Sequence, residues 1–198
     1  MQNIHYPTLI EAVMLDLKQQ ASQDAEHSRD VAQLCIRIGS FMKRFTEHEM
    51  EMLKWGAYLH DCGKKYLDDA LLNAPRKLTP RERIQMQTHV VLGRDFVAAM
   101  ECDPIIIEIV HWHHFNEDGS GYPHSKAEPS IFPRIVRVAD TYQALTSERV
   151  YRFPSSSEEA MAILEAEAGR IFNAEVVLFL RLALANEAQK EEKNDANK

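Results

Sequence analysis

The residues best suited to chemistry in this chain are histidines and aspartates that recur in pairs. His60-Asp61 is the first adjacent pair, where a predicted helix ends. At ~3.6 residues per turn, neighbours on a helix point roughly 100° apart, so the two do not fit neatly on one tetrahedral ion. They suit a two-metal site in which the carboxylate bridges both ions and the imidazole completes one. An isolated His-Asp pair has a plainer reading, a helix C-terminus whose dipole favours histidine. This pair is not isolated. His89 falls mid-helix, at the edge between polar and apolar faces, and His113-His114 is a second adjacent pair at a predicted helix end. Asp140 sits among Val136, Val138, Ala139 and Tyr142, where a carboxylate is costly to bury unless it is paired or binds a metal. His27 stands near the start of another helix. Together these are five imidazoles and two carboxylates, with no thiolate. Nitrogen and oxygen ligands in that number favour two six-coordinate transition metals, iron or manganese before structural zinc. Two ions about 3.5–4 Å apart suit phosphoester hydrolysis, because they activate a water and clamp the phosphoryl oxygens.

Two further features accompany the candidate ligands. Lys64, just past the His-Asp pair, is a point charge suited to a phosphate; its plain alternative is a surface lysine at a helix C-terminus. The run Asp118-Gly119-Ser120-Gly121-Tyr122-Pro123 follows the second histidine pair. Its glycines permit positive φ and close backbone approach, and Pro123 stiffens the exit. Tyr122 either stacks on a base or packs the loop.

Helices must position these groups, and the hydrophobic period is helical almost throughout. Ile10, Val13, Met14 and Leu17 form one stripe; Val31, Leu34, Cys35 and Ile38 form another. Thr46 with Glu49, Thr79 with Glu82 and Ser156 with Glu159 read as capping boxes. Pro80 and Pro104 suit first helical positions. The helix opened at Thr79 is expected to carry Ile84, Thr88, His89, Val91 and Leu92 as one unit. Gly63 suits the position just past a helix end. Residues 115–130 hold turn signals and no helical period, a long loop of the kind often tied to function. Helical spacing resumes at Ile135, Val138, Tyr142 and Leu145, and a last helix follows Asn173. From Gln189 the polar tail is expected to fray. No strand-like alternation survives. The expectation is one all-α domain over residues 1–188, a compact helical bundle of about seven to nine helices, with a tail over 189–198.

Composition narrows the function classes. A length of 198 residues suits one domain. Net charge is −7, which disfavours nucleic-acid polymers, since those need a basic face. A small anionic substrate stays possible because local charge can oppose global charge. The apolar runs are too short to span a bilayer, and the N-terminus lacks the marks of a secretory signal. A cytoplasmic location is expected. The three cysteines, Cys35, Cys62 and Cys102, form no CxxC, so neither a disulfide framework nor a thiolate zinc site is supported.

Taken in order, His60-Asp61-Cys62-Gly63-Lys64, Thr88-His89, His113-His114, the Asp118–Pro123 run and the stretch from Ala139-Asp140 to Tyr151-Arg152 resemble the HD-GYP family. That family is a branch of the HD-domain metal-dependent phosphohydrolases. The late segment Gly169-Arg170-Ile171-Phe172-Asn173 fits as well, and the resemblance covers residues 27–185. It implies an all-helical fold of the HD-domain type and hydrolysis of cyclic di-GMP to pGpG or GMP at a di-metal centre, often iron. By this resemblance the metal ligands are His27, His60, Asp61, His89, His113, His114 and Asp140. Asp61 and Lys64 are the catalytic candidates. Lys64, Gly121, Tyr122, Arg149 and Arg152 are the substrate-binding candidates.

The sequence also departs from the family pattern. Phe115 stands where a glutamate usually follows the histidine pair, and Gln143 where an aspartate is common. Gln23 occupies the place at which members with a third ion carry glutamate, which favours two ions over three. Two other readings stay beside cyclic di-GMP hydrolysis. One is a phosphohydrolase of other nucleotides or phosphomonoesters. The other is a low-turnover metal-holding sensor or signalling partner, which Phe115 and Gln143 favour. No regulatory segment is visible, so control is expected from expression, a protein partner or a homodimer.

Overall fold

The computed structural model describes residues 5–20, 24–124, 128–147 and 153–195. Its elements run α1 (Tyr6–Gln20), α2 (Asp24–Met42), α3 (Glu47–Leu59), α4 (Asp69–Leu72, a single turn), α5 (Pro80–Gln87), α6 (His89–Ala99), α7 (Pro104–Trp112), α8 (Ile131–Thr146), α9 (Ser157–Ala166) and α10 (Ala174–Asp195). A 3₁₀ turn over Cys62–Tyr66 links α3 to α4. Among the described residues there is no strand, only an isolated bridge between Ala168 and Phe172. The chain is all-α, as its periodicity predicts.

Local chemistry starts these helices. Thr46, Thr79 and Ser156 each accept the backbone N–H three residues on, and Glu49, Glu82 and Glu159 reach back in return. The three capping boxes therefore open α3, α5 and α9 where the spacing predicts them. The Asp103 side chain accepts from the Ile105 N–H, with Pro104 at the first position of α7.

One expectation is corrected. The helix opened at Thr79 is not continuous: it breaks at Thr88, whose hydroxyl donates to the Gln85 carbonyl at 2.7 Å. The Val91 N–H closes a tight bond to the Thr88 carbonyl at 3.0 Å. A threonine that bonds its own turn competes with the helix ladder. His89 is consequently the first residue of α6 rather than a mid-helix residue. At the other end, α10 runs to Asp195. Its Gln, Lys and Glu are good helix formers and extend a helix without an apolar face.

Two apolar clusters hold the helices together. Val31, Cys35, Ile38, Leu53, Ile109, Ile135 and Leu180 represent the larger, which joins α2, α3, α7, α8, α9 and α10. Ile10, Val13, Met52, Leu59, Val97 and Ile106 represent the second, which joins α1, α3, α6 and α7. Helices α3 and α7 feed both clusters and pack against each other. Their C-terminal ends are thereby fixed side by side, and those ends carry His60-Asp61 and His113-His114. No helix among the described residues is long and apolar enough to cross a membrane.

Candidate metal centre

The helices bring the seven candidate ligands to one place in two groups. Asp61, His89, His113 and His114 offer donor atoms within 4.8 Å of one another; so do His27, His60 and Asp140. His60 caps the end of α3, Asp61 opens the 3₁₀ turn, His89 opens α6, and His113 caps α7. His27 and Asp140 come from within α2 and α8. Most of the groups are buried: His60, Asp61, His89 and His113 keep at most 4% of their surface.

Asp61 stands between the groups. Its Oδ1 lies 3.3 Å from His89 Nε2 and 3.8 Å from His113 Nε2. Its Oδ2 lies 3.2 Å from His60 Nε2 and 2.7 Å from Lys64 Nζ. One carboxylate oxygen thus faces each group. In the second group His27 Nε2 is 3.0 Å from Asp140 Oδ1.

The imidazoles are oriented by their other nitrogen. The Nδ1 atoms of His60, His89 and His113 bond the carbonyls of Ala57, Met86 and Val110, three residues back, at 2.7, 2.7 and 3.0 Å. A carbonyl only accepts, so Nδ1 carries the proton and Nε2 points its lone pair into the site. His27 differs. Its Nδ1 bonds the Oε1 of Gln143, on α8.

The donor set passes a test of fit for cations. His89 Nε2 and His113 Nε2 are 3.2 Å apart. Burial above all lowers the pKa of both rings, and that of His113 falls well below the usual histidine range. Two neutral rings with committed Nδ1 protons face each other lone pair to lone pair, a repulsion that a shared cation removes. His60 Nε2 is buried with no hydrogen-bond partner. Burial alone would lower the His60 pKa, yet the Asp61 and Asp140 carboxylates push it up to about 9. Those carboxylates demand positive charge at Nε2, which a proton or a metal ion meets. Burial would raise Asp61, but the Lys64 ammonium and His60 hold it well below the usual carboxylate range. Burial opposes ionisation of Asp140 too, and the His27 hydrogen bond with the His60, His27 and His114 rings overrides it. Burial and the neighbouring His89 push His114 down to about 3. Imidazole nitrogens around ionised carboxylates, with a proton at His60 that an ion would displace, are a nitrogen and oxygen donor set of the kind that takes up transition metals.

The glycine-rich loop closes over this centre. Gly119 has φ +75, the left-handed region. A Cβ on Gly121 would lie 2.2 Å from the His114 carbonyl. The two glycines therefore divide the tasks expected of both, a turn and a close approach. Tyr122 stacks on His114 with ring centroids 4.5 Å apart. The Asp118 N–H donates to the Arg170 carbonyl at 2.8 Å, and Arg170 Nη1 returns a bond to Asp118 at 3.1 Å. The Gly169–Asn173 segment thus anchors the loop from outside.

Phe115 is not in either ligand group. Its ring lies beneath the Arg134 guanidinium at 5.0 Å and edge-on to Trp112 at 6.3 Å. Gln143 keeps contact with the centre through His27. Arg149, Arg152 and Gln23 lie outside the described residues. Sequence reasoning missed Arg137, whose Nε donates to Asn116 Oδ1 at 3.1 Å while Asn116 Nδ2 donates to Ser120 at 3.0 Å. This chain ties the loop to α8. The signal was available: Arg137 is a cation one turn before Asp140 on the same mostly apolar helix stretch, where an unpaired charge is costly.

A family model described as HD domain matches residues 9–176. Among curated proteins, 3'3'-cGAMP-specific phosphodiesterase 2 of Vibrio cholerae is 34% identical over 158 residues, 78% of this chain and 30% of its own length. A cyclic di-GMP phosphodiesterase of Thermotoga maritima is 36% identical over 162 residues, 79% of this chain and 44% of its own. The chain therefore spans less than half the length of these relatives. Among solved structures, Bd1817 of Bdellovibrio bacteriovorus, an HDG"Y"P protein, aligns with a TM-score of 0.67 at 19% identity, covering 82% of this chain and 52% of that one. The HD domain of the L. monocytogenes phosphodiesterase PgpH, in complex with cyclic-di-AMP, aligns at 0.65 and 16% identity, covering 90% and 96%. At these identities the structural likeness shows the fold.

Proposed function

This chain belongs to the HD domain family, and on that premise we propose that it is a metal-dependent phosphodiesterase that hydrolyses cyclic di-GMP to pGpG or GMP. The observation that carries the proposal is Asp61, with one oxygen facing each of two ligand groups at 3.2–3.3 Å. Asp61, His89, His113 and His114 would hold one ion, and His27, His60 and Asp140 the other, with Asp61 shared. Iron or manganese bound there supplies the positive charge that activates a water and neutralises phosphoryl oxygens.

The chain's own residues do the rest. The backbone carbonyls of Ala57, Met86 and Val110 keep three imidazoles in the ligating tautomer, so no reorganisation is needed when charge develops. Lys64 Nζ, 2.7 Å from Asp61 Oδ2, is placed to meet a phosphate oxygen beside the Asp61 carboxylate. Tyr122 and the backbone of Gly121 wall the site over His114 and keep bulk water from it. Arg149 and Arg152 remain the proposed grips on the rest of the dinucleotide. The domain limits of 1–188 and a cytoplasmic location, which suits three free buried cysteines, belong to the same proposal. The two sequence departures leave both ligand groups complete: Phe115 packs elsewhere, and Gln143 supports His27. That favours turnover over a silent sensor.

Elemental analysis of protein purified without oxygen, with chromatography of cyclic di-GMP and 3'3'-cGAMP digests, tests the reading. Two ions per chain and linear product from cyclic di-GMP are expected. Asp61→Ala should lose most of the metal and activity while the helical circular dichroism persists. Full metal content and turnover in Asp61→Ala would refute the assignment.

A further inference from the structure

The two ligand groups are not equivalent. One has four candidate ligands, and its Asp61 and His113 side chains are 6% and 0% exposed. The other has three besides the shared Asp61, four in all, so the difference is burial: its His27 and Asp140 side chains are 11% and 14% exposed. The supports of the histidines differ as well, and the exception lies in the second group. His60, His89 and His113 lean on carbonyls within their own helical turn, rigid acceptors that cost nothing to order. His27 leans on a side chain that arrives from a helix 116 residues away in sequence.

That side chain is itself held. Gln143 Nε2 donates to Ser147 Oγ at 2.7 Å and to Asp30 Oδ2 at 3.3 Å. With its nitrogen committed to two oxygens, the amide must present Oε1 to His27. The ring Nδ1 then carries the proton and Nε2 is left for the site, 3.0 Å from Asp140 Oδ1. Asp30 is one turn past His27 on α2, and Gln143 is one turn past Asp140 on α8. The relay therefore ties together the two helices that carry this group. Its acceptor is a neutral amide, whereas the charge of Asp30 stands one bond further out.

We propose that Gln143 is the positioning residue of the His27–His60–Asp140 group and sets that group's affinity, so that this is the weaker ion site and fills second. The inference rests on the two-ion reading given above. Partners in the shell around a ligating histidine fix its tautomer and basicity, and their loss costs about 10–100-fold in metal affinity. Removing the amide should weaken one ion only. Moving the carboxylate inward, directly against His27, should strengthen that same ion.

The test is calorimetric and spectroscopic titration of metal-free protein with manganese(II) alone. The wild-type chain should bind in two steps. Gln143→Leu should weaken the second step by about 10–100-fold and leave the first in place. The double variant Gln143→Glu/Asp30→Asn keeps net charge and a hydrogen bond at each position, and should tighten the second step by about tenfold. A merely structural residue would not give tightening. If Gln143→Leu does not fold, the double variant decides alone. An unmoved second step in the double variant, or equal weakening of both steps in folded Gln143→Leu, overturns the proposal. A wild-type chain that takes up no manganese overturns the two-ion reading itself, and this inference with it.

Discussion

Replacing Gly63 with alanine puts a methyl group where α6 leaves no space. Gly63 lies two residues past Asp61, and a Cβ there would stand 1.9 Å from the His89 carbonyl oxygen and 2.5 Å from the Gly93 nitrogen. Both are backbone atoms and cannot rotate aside. Ordinary contact begins near 3.4 Å, so α6 must withdraw from the 3₁₀ turn by about 1.5 Å. Two donors on one ion, with bonds of about 2.0–2.2 Å, are at most ~4.4 Å apart. Asp61 Oδ1 and His89 Nε2 are now 3.3 Å apart; carried to them in full, the shift separates them by about 4.8 Å, beyond the reach of ligand bonds of ~2.1 Å. The cost is also structural. Overpacking against atoms that cannot yield belongs at the upper end of ~1–3 kcal/mol. For a chain of this size each kcal/mol moves the melting temperature by about 2–4 °C, so a fall of roughly 6–12 °C is expected. A displacement near 1 Å at reacting groups costs roughly 10²-fold in rate. Differential scanning calorimetry, elemental analysis and single-turnover hydrolysis read the three effects separately. Gly93→Ala is the control, since its Cβ first meets a side-chain methyl of Val110 at 2.8 Å, and its losses should be smaller. A Gly63→Ala protein with wild-type melting temperature, two ions and full rate would refute the close-approach argument.

Three further outcomes are expected. Lys64→Ala should keep both ions yet lose two to three orders in kcat, the ~2.7–4 kcal/mol scale of one electrostatic donor; an unchanged kcat in steady-state assays removes Lys64 from the mechanism. In the metal-free protein His60 is raised from 6.5 to about 9, so its contribution to stability is complete below pH ~6.5 and lost as pH climbs through about 9. Ion uptake must expel that proton, so affinity should rise about tenfold per pH unit between pH 7 and 9, and titrations that show no such rise contradict the raised value. Phe115→Ala should lower the melting temperature, with a loss below the ~3–5 kcal/mol of a fully buried ring because the side chain is half-buried. KM should stay in place; a raised KM with stability intact would instead make Phe115 a substrate contact.

The sequence by itself determined what is local. Helix starts were legible at Thr46, Thr79, Asp103 and Ser156 because a cap closes within three residues. The pairs His60-Asp61 and His113-His114 were legible as ligands-in-waiting at helix ends, since two adjacent polar side chains on apolar helices are costly without a partner. Tertiary structure decided the rest, because it depends on residues far apart in the chain. The break at Thr88, which puts His89 at the start of α6, lies inside a pattern that periodicity reads as continuous. Gly63 looked like a helix terminator, yet its role is set by the His89 carbonyl that packs against it. Gln143 read as a lost charge, and only the packing of α8 on α2 brings its amide to His27 and Asp30. Helical spacing names the face of a helix but not the helix it will meet. The pairing of faces is chosen by burial of the two apolar clusters, a property of the whole chain that no short stretch encodes.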